Sequence, residues 1–307
     1  MSILIDEHTT FIVQGITGRE AVNLTRECLD FGSKIVGGVT PGRKGRDVHG
    51  VPVFDTVEQV VEHNGGQVPD GSVVTVPPAF TKDAVLEAIA AGVKTVVVVT
   101  ERIPRRDVAQ MVEFAGMRDA RIIGPNCLGI IVPGVAKMGG VGGPAKDAQK
   151  AYQPGSVGVM SRSGGMTTEI SSTLTAAGLG VSTAVSIGGD AIIGSSYAEL
   201  MPLFEADEKT EAIVIYTEPG GRMEAQLAEW RTENDSRLPI VAFMAGRFMD
   251  DEEMKGMSFG HAGTIVEGKE DTATEKIQRL EAAGIPVVER IDAIPAAVKS
   301  KLEAGSP

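Results

Sequence analysis

The 307-residue sequence contains only two cysteines and four histidines. Cys28 and Cys127 lie far apart and lack the CxxC spacing of a zinc site, so we expect neither a disulfide framework nor a zinc site. Three histidines lie within the first 63 residues and the fourth, His261, lies far along the chain, so they do not supply the closely spaced ligands of a metal centre. We therefore expect this chain to bind no metal itself.

Long apolar runs and basic charge are also scarce. No segment approaches the roughly 20 apolar residues that a membrane-spanning helix needs, and the first residues, MSILIDEHTT, lack the basic start of a secretory signal. The net charge of −12 argues against a surface for nucleic acid or anionic membranes, although it leaves room for one basic pocket. We expect a cytoplasmic protein without nucleic-acid or membrane contact.

The sequence does contain a repeated alternation of apolar runs and helix-like segments. Within residues 1–125 the runs FIVQG, KIVGGV, SVVTVP, TVVVVT and RIIG are rich in β-branched residues, as is typical of strands buried on both faces of a parallel sheet. The segments between them have helical spacing and mostly end at glycine. This alternation predicts a doubly wound α/β domain over residues 1–125.

A stretch dense in glycine and proline follows over residues 126–155, and we predict that it forms a linker region. The alternation then restarts with the runs VGVMS, VSTAVSIGG, EAIVIYTE, PIVAFMAG and IPVVE. A second α/β domain of flavodoxin-like size is therefore expected over residues 156–307.

The first predicted strand runs into QGITGREA, where Gly15 and Gly18 form the turn into a helix. Such a turn lets backbone N–H groups and the positive helix end approach a phosphate. The pattern is weaker than a dinucleotide fingerprint, because the third glycine is missing and Glu20 brings a negative charge. A tight strand-to-helix turn without a ligand is the alternative.

A basic loop, TPGRKGRD, follows the second predicted strand and carries Arg43, Lys44 and Arg46. In so acidic a protein these cations are a candidate phosphate clamp, and a solvated charged turn is the alternative. The loops VPPAF and VTERIP also follow strands, so four loops would meet at one edge of the sheet. Because Gly37 and Gly38 lie where a nicotinamide enzyme has its acidic ribose partner, the pattern favours a nucleotide held by its phosphates over NAD.

In the second half, VGVMSRSGGMTTEI predicts a strand, a turn and a helix start. The turn residues Ser161, Ser163, Gly164 and Gly165 can offer hydroxyl and N–H groups to a phosphate at the positive helix end. The stretch SRSGG does not match the GxSxG pattern of a nucleophile elbow. An anion site is the preferred interpretation, and simple capping of the helix by Ser163 is the alternative.

His261 lies in a Gly-His-Ala-Gly loop, and Glu218 ends the run AIVIYTE just before a glycine turn. A carboxylate at the carboxyl end of a strand is well placed to hydrogen-bond an imidazole. With the Ser/Gly turn, these residues predict a histidine that accepts a phosphoryl group, is oriented by Glu218 and places the phosphate at a helix amino terminus. A structural histidine and a solvated glutamate are the alternatives.

The order of these motifs resembles the alpha subunit of succinyl-CoA synthetase and its relative ATP-citrate lyase. The matching stretches include QGITG, VGGVTPG, VPPAF, GPNC, SRSG, IGGD and GHAG, spread over nearly the whole chain. The resemblance implies a Rossmann-type CoA-binding domain, then a flavodoxin-like ligase domain with His261 as the phosphohistidine and Glu218 as its partner. The CoA contacts it implies are Gly15, Thr17, Gly18, Arg19, Glu20, Arg43, Lys44, Val99, Thr100 and Glu101.

The resemblance also implies components outside this chain. ATP or GTP with Mg would bind a beta-type ATP-grasp subunit, giving a heterodimer or heterotetramer. The cycle would run through phosphohistidine and acyl phosphate to thiolysis by CoA. A non-catalytic CoA-binding sensor is the alternative from another class, and it would have a disabled phosphorylation site, whereas His261 and Glu218 are both present.

The sequence departs from the family where the acid substrate is expected. The resemblance assigns substrate contacts to Asn126, Cys127 and Thr168, and Thr168 replaces the substrate-contacting tyrosine of the succinate enzymes. Leu128 replaces a proline, whereas SRSGGM and the longer loop over residues 247–259 are similar to ATP-citrate lyase. Succinate is the default acid, and citrate or malate is the alternative.

Overall fold

The computed structural model describes residues 3–251, 253, 261–266, 268 and 271–305. A first seven-stranded sheet is formed by β1 (Thr10–Gln14), β2 (Lys34–Val39), β3 (Asp47–Val48), β4 (Val51–Phe54), β5 (Gly71–Val74), β6 (Thr95–Val98) and β7 (Arg121–Ile123). Its strand order is β3-β4-β2-β1-β5-β6-β7. Neighbouring strands are parallel except β3 and β4, which form a short antiparallel pair.

The apolar β-branched runs form the centre of this sheet, where Val73 and Val97 are fully buried. The helices between the strands are α1 (Arg19–Phe31), α2 (Val57–His63), α3 (Pro78–Ala90) and α4 (Arg105–Met117). Helix α1 ends at Gly32, whose φ of 100° favours glycine, and the Thr56 hydroxyl caps α2 by accepting a hydrogen bond from Gln59 N–H. Parallel strands with crossover helices confirm the predicted doubly wound architecture.

A second seven-stranded sheet is formed by β8 (Gly129–Val132), β9 (Ala136–Met138), β10 (Pro154–Ser161), β11 (Val181–Ser186), β12 (Ala212–Thr217), β13 (Ile240–Met244) and β14 (Val287–Val288). Its order is β14-β13-β12-β10-β11-β8-β9. Strands β10 to β14 pair in parallel, whereas β8 is antiparallel to both β11 and β9. A second α/β architecture is therefore confirmed.

The helices of the second half lie between the strands of this sheet or after the last of them. They are α5 (Ala145–Ala151), α6 (Gly164–Ala176), α7 (Tyr197–Ala206), α8 (Met223–Glu233), α9 (Ala273–Ala282) and α10 (Ile294–Gly305). Short 3₁₀ turns lie at Arg247–Asp250, Ala262–Thr264 and Ile291–Ala293. Of the loop over residues 247–259, residues 252 and 254–259 lie outside the described residues.

Residues 126–155 differ from the expected linker region, because they form β8, β9 and α5 and extend the second sheet. The two strands are short and are joined by a turn that contains Gly134 (φ 72°). The high glycine content of this hairpin made its sequence resemble that of a linker. The hairpin also contacts the first half of the chain, since the Ser33 hydroxyl donates a hydrogen bond to the Lys137 carbonyl at 2.7 Å. The segment is therefore tied to both halves, and the domain boundaries at 125 and 156 stay a prediction.

The topology determines where a site can form. In a parallel sheet the carboxyl ends of the strands lie at one edge, so the loops that follow them converge there. In the first sheet these are the loops after β1, β2, β5 and β6, and in the second sheet those after β10, β11 and β12.

Within the described residues, no helix has both the length and the apolar character needed to cross a membrane. The same residues contain no cluster of three or more His, Cys, Asp or Glu side chains placed to hold a metal ion.

Candidate active site

The imidazole of His261 pairs with the carboxylate of Glu218, which directly follows β12. Nδ1 of His261 lies 2.7 Å from Oε2 of Glu218, and the two side chains are 24 % and 9 % exposed. The hydroxyl of Thr264 donates a hydrogen bond to the His261 carbonyl at 2.8 Å, which fixes the backbone after the histidine. The structure thus brings together the two residues predicted to be catalytic.

The Glu218 carboxylate is ionised at neutral pH. Burial acts to raise the pKa of Glu218, but the hydrogen bond from His261 and the positive charge of Arg162 outweigh it and hold the pKa below its usual value. An ionised carboxylate only accepts hydrogen bonds. In the neutral ring of His261, Nδ1 therefore carries the proton and Nε2 keeps its lone pair.

Gly189 forms a wall of the histidine site. A Cβ atom at this position would lie 2.6 Å from Cγ and Cδ2 of the His261 ring, so only glycine leaves room for the ring. The Gly189 carbonyl accepts a hydrogen bond from Gly263 N–H at 3.0 Å, which ties the two loops together. Sequence reasoning missed Gly189. Its signal was the pair of glycines, Gly188 and Gly189, after β11, because consecutive glycines allow another group to approach the backbone closely.

The turn predicted to bind phosphate lies between β10 and α6. The Ser161 hydroxyl donates to the Ser163 carbonyl at 2.7 Å and accepts from Ser163 N–H at 3.1 Å. The Ser163 hydroxyl accepts from Met166 N–H at 3.4 Å, so Ser163 does cap the helix. A Cβ atom at Gly164 would lie 2.3 Å from a leucine side chain, whereas one at Gly165 would meet nothing within 4 Å. Phosphate binding by this turn stays a prediction.

Asn126 joins the two halves of the chain beside the histidine site. Its N–H donates to the Thr100 carbonyl at 3.0 Å, and its carbonyl accepts from Gly189 N–H at 3.1 Å. Its side-chain amide donates to Asp190 Oδ1 at 3.1 Å. Burial raises the pKa of Asp190 despite this hydrogen bond. One residue therefore holds together the loops that follow β6 and β11.

The other two predicted substrate residues are engaged by the protein. Cys127 is 3 % exposed, its thiol donates to the Val98 carbonyl at 3.2 Å, and burial raises the pKa of Cys127 to about 12. The Thr168 hydroxyl hydrogen-bonds the Tyr152 hydroxyl at 2.9 Å, where α5 packs on α6. Substrate contact by Cys127 and Thr168 stays a prediction. Their hydrogen bonds to Val98 and Tyr152 favour a structural role for both residues.

A cavity of about 750 Å³ lies at the carboxyl edge of the first sheet. Three of the residues predicted to contact CoA, Gly15, Thr17 and Gly18, line it. Gly15 has a φ of 87°, and a Cβ atom there would lie 2.9 Å from Thr75 Oγ1. Much of the remaining wall is apolar and is formed by Val39, Pro41, Val76, Pro77 and Phe80. Phe80 is 62 % exposed, so the cavity offers an accessible aromatic ring.

The basic loop begins beside this cavity, directly after Pro41. One carboxylate oxygen of Asp55 accepts hydrogen bonds from the N–H groups of Gly42, Arg43 and Lys44, at 2.7, 3.2 and 3.3 Å. The side chains of Arg43 and Lys44 are exposed. Sequence reasoning missed Asp55, whose only signal was an acidic residue directly after β4. The carboxylate orders the loop and leaves two exposed cations next to the cavity.

The remaining predicted CoA contacts lie at two places. Arg19 and Glu20 pair with each other at 3.2 Å in the exposed first turn of α1. The Thr100 hydroxyl donates to the Val76 carbonyl at 2.7 Å. Glu101 lines a second cavity, of about 200 Å³, whose other charged or amide residues are Arg102, Arg105, Asn126 and Asp190. CoA contacts at Arg19, Glu20 and residues 99–101 stay a prediction.

Two family models match the chain. A "CoA binding domain" matches residues 6–102, and a "Succinyl-CoA ligase like flavodoxin domain" matches residues 154–300. Among curated proteins, the chain is 44 % identical over 287 residues to the succinate–CoA ligase (ADP-forming) subunit alpha 2 of Archaeoglobus fulgidus, which covers 94 % of this chain and 95 % of the relative. It is 41 % identical over 291 residues to the malate–CoA ligase subunit alpha of Methylorubrum extorquens, with 94 % of each chain covered.

The likeness extends to another acid and to solved structures. An ADP-forming sulfoacetate-CoA ligase subunit of Acholeplasma is 39 % identical over 290 residues, covering 94 % of this chain and 95 % of the relative. The structure of ATP citrate lyase from Methanothrix soehngenii has a TM-score of 0.90 over 98 % of this chain at 24 % identity; this chain spans 51 % of that longer one, and the likeness concerns the fold. The resemblance and both domain types are confirmed, and the chain belongs to the succinyl-CoA ligase alpha-type family.

Proposed function

We propose that this chain is the alpha-type subunit of an ADP- or GDP-forming acid–CoA ligase that works through a phosphohistidine at His261. The observation that carries the proposal is the 2.7 Å contact between His261 Nδ1 and Glu218 Oε2 at the carboxyl edge of the second sheet. Identities of 44 % and 41 % to alpha subunits of a succinate and a malate ligase support the class of reaction.

His261 supplies the nucleophile in this cycle. Its Nε2 forms a bond to the γ-phosphorus of ATP or GTP while the P–O bond to the leaving diphosphate breaks. A carboxylate oxygen of the acid then takes the phosphoryl group, the N–P bond breaks and the imidazole is restored. Attack of the CoA thiolate on the resulting acyl phosphate forms the thioester and releases inorganic phosphate. Throughout, the Glu218 carboxylate balances the positive charge that the ring acquires.

Helix α6 supplies a favourable field for the phosphoryl group. The helix has 13 residues, with Ser163 as its amino-terminal cap and Gly164 and Gly165 as its first two residues, and Ser161 ends the preceding strand. N–H groups at a helix amino terminus and the positive end of its dipole stabilise an anion. The open space at Gly165 leaves the backbone accessible to a phosphate.

The cavity at the first sheet is proposed to hold CoA. Its apolar wall and the accessible ring of Phe80 suit a purine base. The exposed cations Arg43 and Lys44 suit phosphate groups. The turn from Thr17 to Glu20 and the strand end at residues 99–101 complete the proposed contacts.

The acid is proposed to bind between the two halves of the chain, near Asn126. The 200 Å³ cavity there is lined by the carboxylates of Glu101 and Asp190 and by the cations Arg102 and Arg105, and the two cations suit the carboxylate groups of an acid. Succinate is the default acid, with malate and citrate as alternatives. Because a relative at 39 % identity is a sulfoacetate ligase subunit, sulfoacetate joins the acids to be tested.

The partner is proposed to be a beta-type ATP-grasp subunit that binds ATP or GTP with Mg. This chain would then work as one half of a heterodimer or heterotetramer in the cytoplasm. The alpha subunits among its relatives support a partner of this kind.

The test is turnover with a panel of acids. The chain is co-expressed with its neighbouring beta-type subunit, and CoA-dependent ADP or GDP formation is measured with succinate, malate, citrate, itaconate and sulfoacetate. His261→Ala is expected to abolish turnover, whereas His8→Ala, at an exposed histidine whose ring lies 3.8 Å from the Glu7 carboxylate, is expected to retain it. Turnover that survives in His261→Ala would contradict the phosphohistidine.

A further inference from the structure

Arg162 is a fully charged side chain that the fold buries almost completely. It directly follows β10 and is 1 % exposed. Its Nη1 donates to the carbonyls of Glu218, Pro219 and Gly220 at 3.4, 3.4 and 3.1 Å. A buried guanidinium is tolerated only where its surroundings supply acceptors and negative charge. Here they are three consecutive carbonyls of the turn that carries the catalytic glutamate.

A second buried cation contacts the same turn. Lys276 on α9 is 2 % exposed, and its Nζ donates to the carbonyls of Glu218 and Gly220 at 2.9 and 2.5 Å. The same Nζ pairs with the buried Glu224 on α8 at 2.6 Å. Glu224 therefore compensates the charge of Lys276, whereas Arg162 forms its ion pair, at 4.0 Å, with Glu218.

Arg162 also contacts the histidine segment. A Cβ atom at Gly263 would lie 2.3 Å from Nη2 of Arg162, so the backbone two residues after His261 packs directly on the guanidinium. A Cβ atom at Gly220 would lie 2.3 Å from the Gly263 carbonyl. Arg162 therefore lies where the glutamate turn and the histidine segment meet, and it contacts both.

Arg162 also places a positive charge beside the Glu218 carboxylate. Nε of Arg162 lies 4.0 Å from Glu218 Oε2, the same oxygen that His261 Nδ1 contacts at 2.7 Å. This Nε is buried and has no hydrogen-bond partner within the described part of the chain. Its position gives the carboxylate a cationic neighbour without competing for the oxygen that orients the imidazole.

We propose that Arg162 is a positioning residue for the phosphohistidine: it keeps Glu218 ionised and fixed, so that the carboxylate holds the proton on Nδ1 and Nε2 is the nitrogen that reacts. This inference rests on the proposed function. Residues that orient a catalytic group through hydrogen bonds and charge commonly matter nearly as much as the group itself. Arg162 does not touch the phosphoryl acceptor in this role, and it acts through Glu218.

The ionisation of Glu218 depends on every charged or titratable group that faces it. Within the described residues these groups are Arg162 after β10, Tyr216 on β12, Tyr197 on α7, Glu224 on α8, Lys276 on α9, and His261. Among them the Arg162 guanidinium lies 4.0 Å from the Glu218 carboxylate, whereas Lys276 pairs with the carboxylate of Glu224. Its removal therefore acts to raise the pKa of Glu218.

The test uses the full chain with Arg162→Gln and Arg162→Lys. Arg237→Gln is the matched control, because Arg237 also donates to several carbonyls, those of Phe204, Glu205, Asp207 and Thr210, but at the opposite, amino edge of the second sheet. The first readout is the titration of the Glu218 carboxyl by ¹³C NMR, assigned with Glu218→Gln. The second is the rate of phosphohistidine formation in the complex with the beta-type subunit and ATP, measured from pH of about 4 to pH of about 9.

In Arg162→Gln we expect the Glu218 titration to move to higher pH, the acid limb of the phosphorylation profile to move with it, and the rate to fall roughly 10- to 100-fold. Arg162→Lys, which keeps the charge, should keep the titration near that of the wild type, and Arg237→Gln should change neither readout. The proposal is contradicted if Glu218 in a folded Arg162→Gln chain, which lacks the charge, titrates as in the wild type. It is also contradicted if Glu218 in a folded Arg162→Lys chain, which keeps the charge, titrates as in Arg162→Gln. The NMR titration requires no turnover, so it tests the role of Arg162 even if the wild-type complex is not phosphorylated. Absence of phosphorylation in the wild-type complex would instead overturn the proposed function.

Discussion

The ring of His261 lies against the backbone of Gly189, since a Cβ atom there would lie 2.6 Å from Cγ and Cδ2 of the imidazole. Nδ1 of the same ring lies 2.7 Å from Oε2 of Glu218. The ring is therefore contacted both by backbone and by a buried carboxylate. This arrangement defines one orientation of the imidazole, and in the proposed function Nε2 is the nitrogen that reacts.

Gly189→Ala should therefore displace the imidazole from Glu218. The added methyl group cannot fit beside the ring, and the backbone of Gly189 is itself held by Asn126 and Gly263. We expect phosphohistidine formation to fall by about 10²-fold, in line with misplacement of a reacting group by about 1 Å. The measurement is the rate of phosphorylation at saturating ATP.

Gly116→Ala is the matched control for this substitution. A Cβ atom at Gly116 in α4 would meet nothing within 4 Å. Alanine is favoured over glycine in a helix by about 1 kcal/mol, so this variant should be active and no less stable. Wild-type phosphorylation of Gly189→Ala would show that the glycine wall does not set the orientation of the ring.

Glu218→Gln should change how stability depends on pH. The pKa of Glu218 is lower in the folded chain than its usual value, so its ionised form stabilises the fold above the unfolded pKa of about 4.3, and this contribution is lost as the pH falls through the lower, folded pKa. We expect the wild type to be more stable than Glu218→Gln by about 1–3 kcal/mol at pH 7. The difference should shrink below pH of about 4, measured by urea unfolding. Parallel curves for the two proteins would be inconsistent with a depressed pKa.

Phe80→Ala should weaken CoA binding without affecting the histidine. Stacking of a base on an aromatic ring contributes about 1–3 kcal/mol, so KM for CoA should rise roughly tenfold or more. Phosphohistidine formation from ATP should be unchanged, because the proposed CoA cavity and His261 lie on different sheets. Met117→Ala, at another exposed apolar side chain (74 % exposed), is the control and should leave KM unaltered. An unchanged KM in Phe80→Ala would remove the ring from the CoA site.

Asp55→Asn should loosen the basic loop. One carboxylate oxygen of Asp55 accepts three backbone N–H groups, including those of Arg43 and Lys44. Loss of its charge weakens these bonds, and charge-assisted hydrogen bonds contribute about 1.5–3 kcal/mol. We expect a higher KM for CoA and a weaker dependence of that KM on salt. Asp30→Asn, at an exposed position on α1, is the control, and an equal effect in both variants would point to net charge alone.

The sequence allowed the positions of the main strands along the chain to be predicted, because buried parallel strands are continuous β-branched runs such as residues 95–100. The β8–β9 hairpin was missed. Its strands have four and three residues, and pairing with β11 stabilises them where local sequence preference does not. A strand defined by its tertiary partner leaves little signal in its own residues.

The candidate site divides in the same way. Glu218 and His261 could be predicted because each has a local signal, a strand end and a glycine-framed loop. Arg162 could not, since an arginine between two serines gives no sign that its side chain turns into the protein and is 1 % exposed. Thr168 was expected at the substrate, and its hydrogen bond to Tyr152 depends on the packing of α5 on α6.

The most direct test of the phosphohistidine is to locate the phosphoryl group. The complex is incubated with γ-labelled ATP or GTP and no acid substrate, and the bound phosphate is mapped by peptide analysis under alkaline conditions, in which phosphohistidine survives. We expect one label on His261, absent in His261→Ala and released on addition of the acid substrate with CoA. Label on another residue, or turnover of the acid without any labelled chain, would contradict a mechanism through His261.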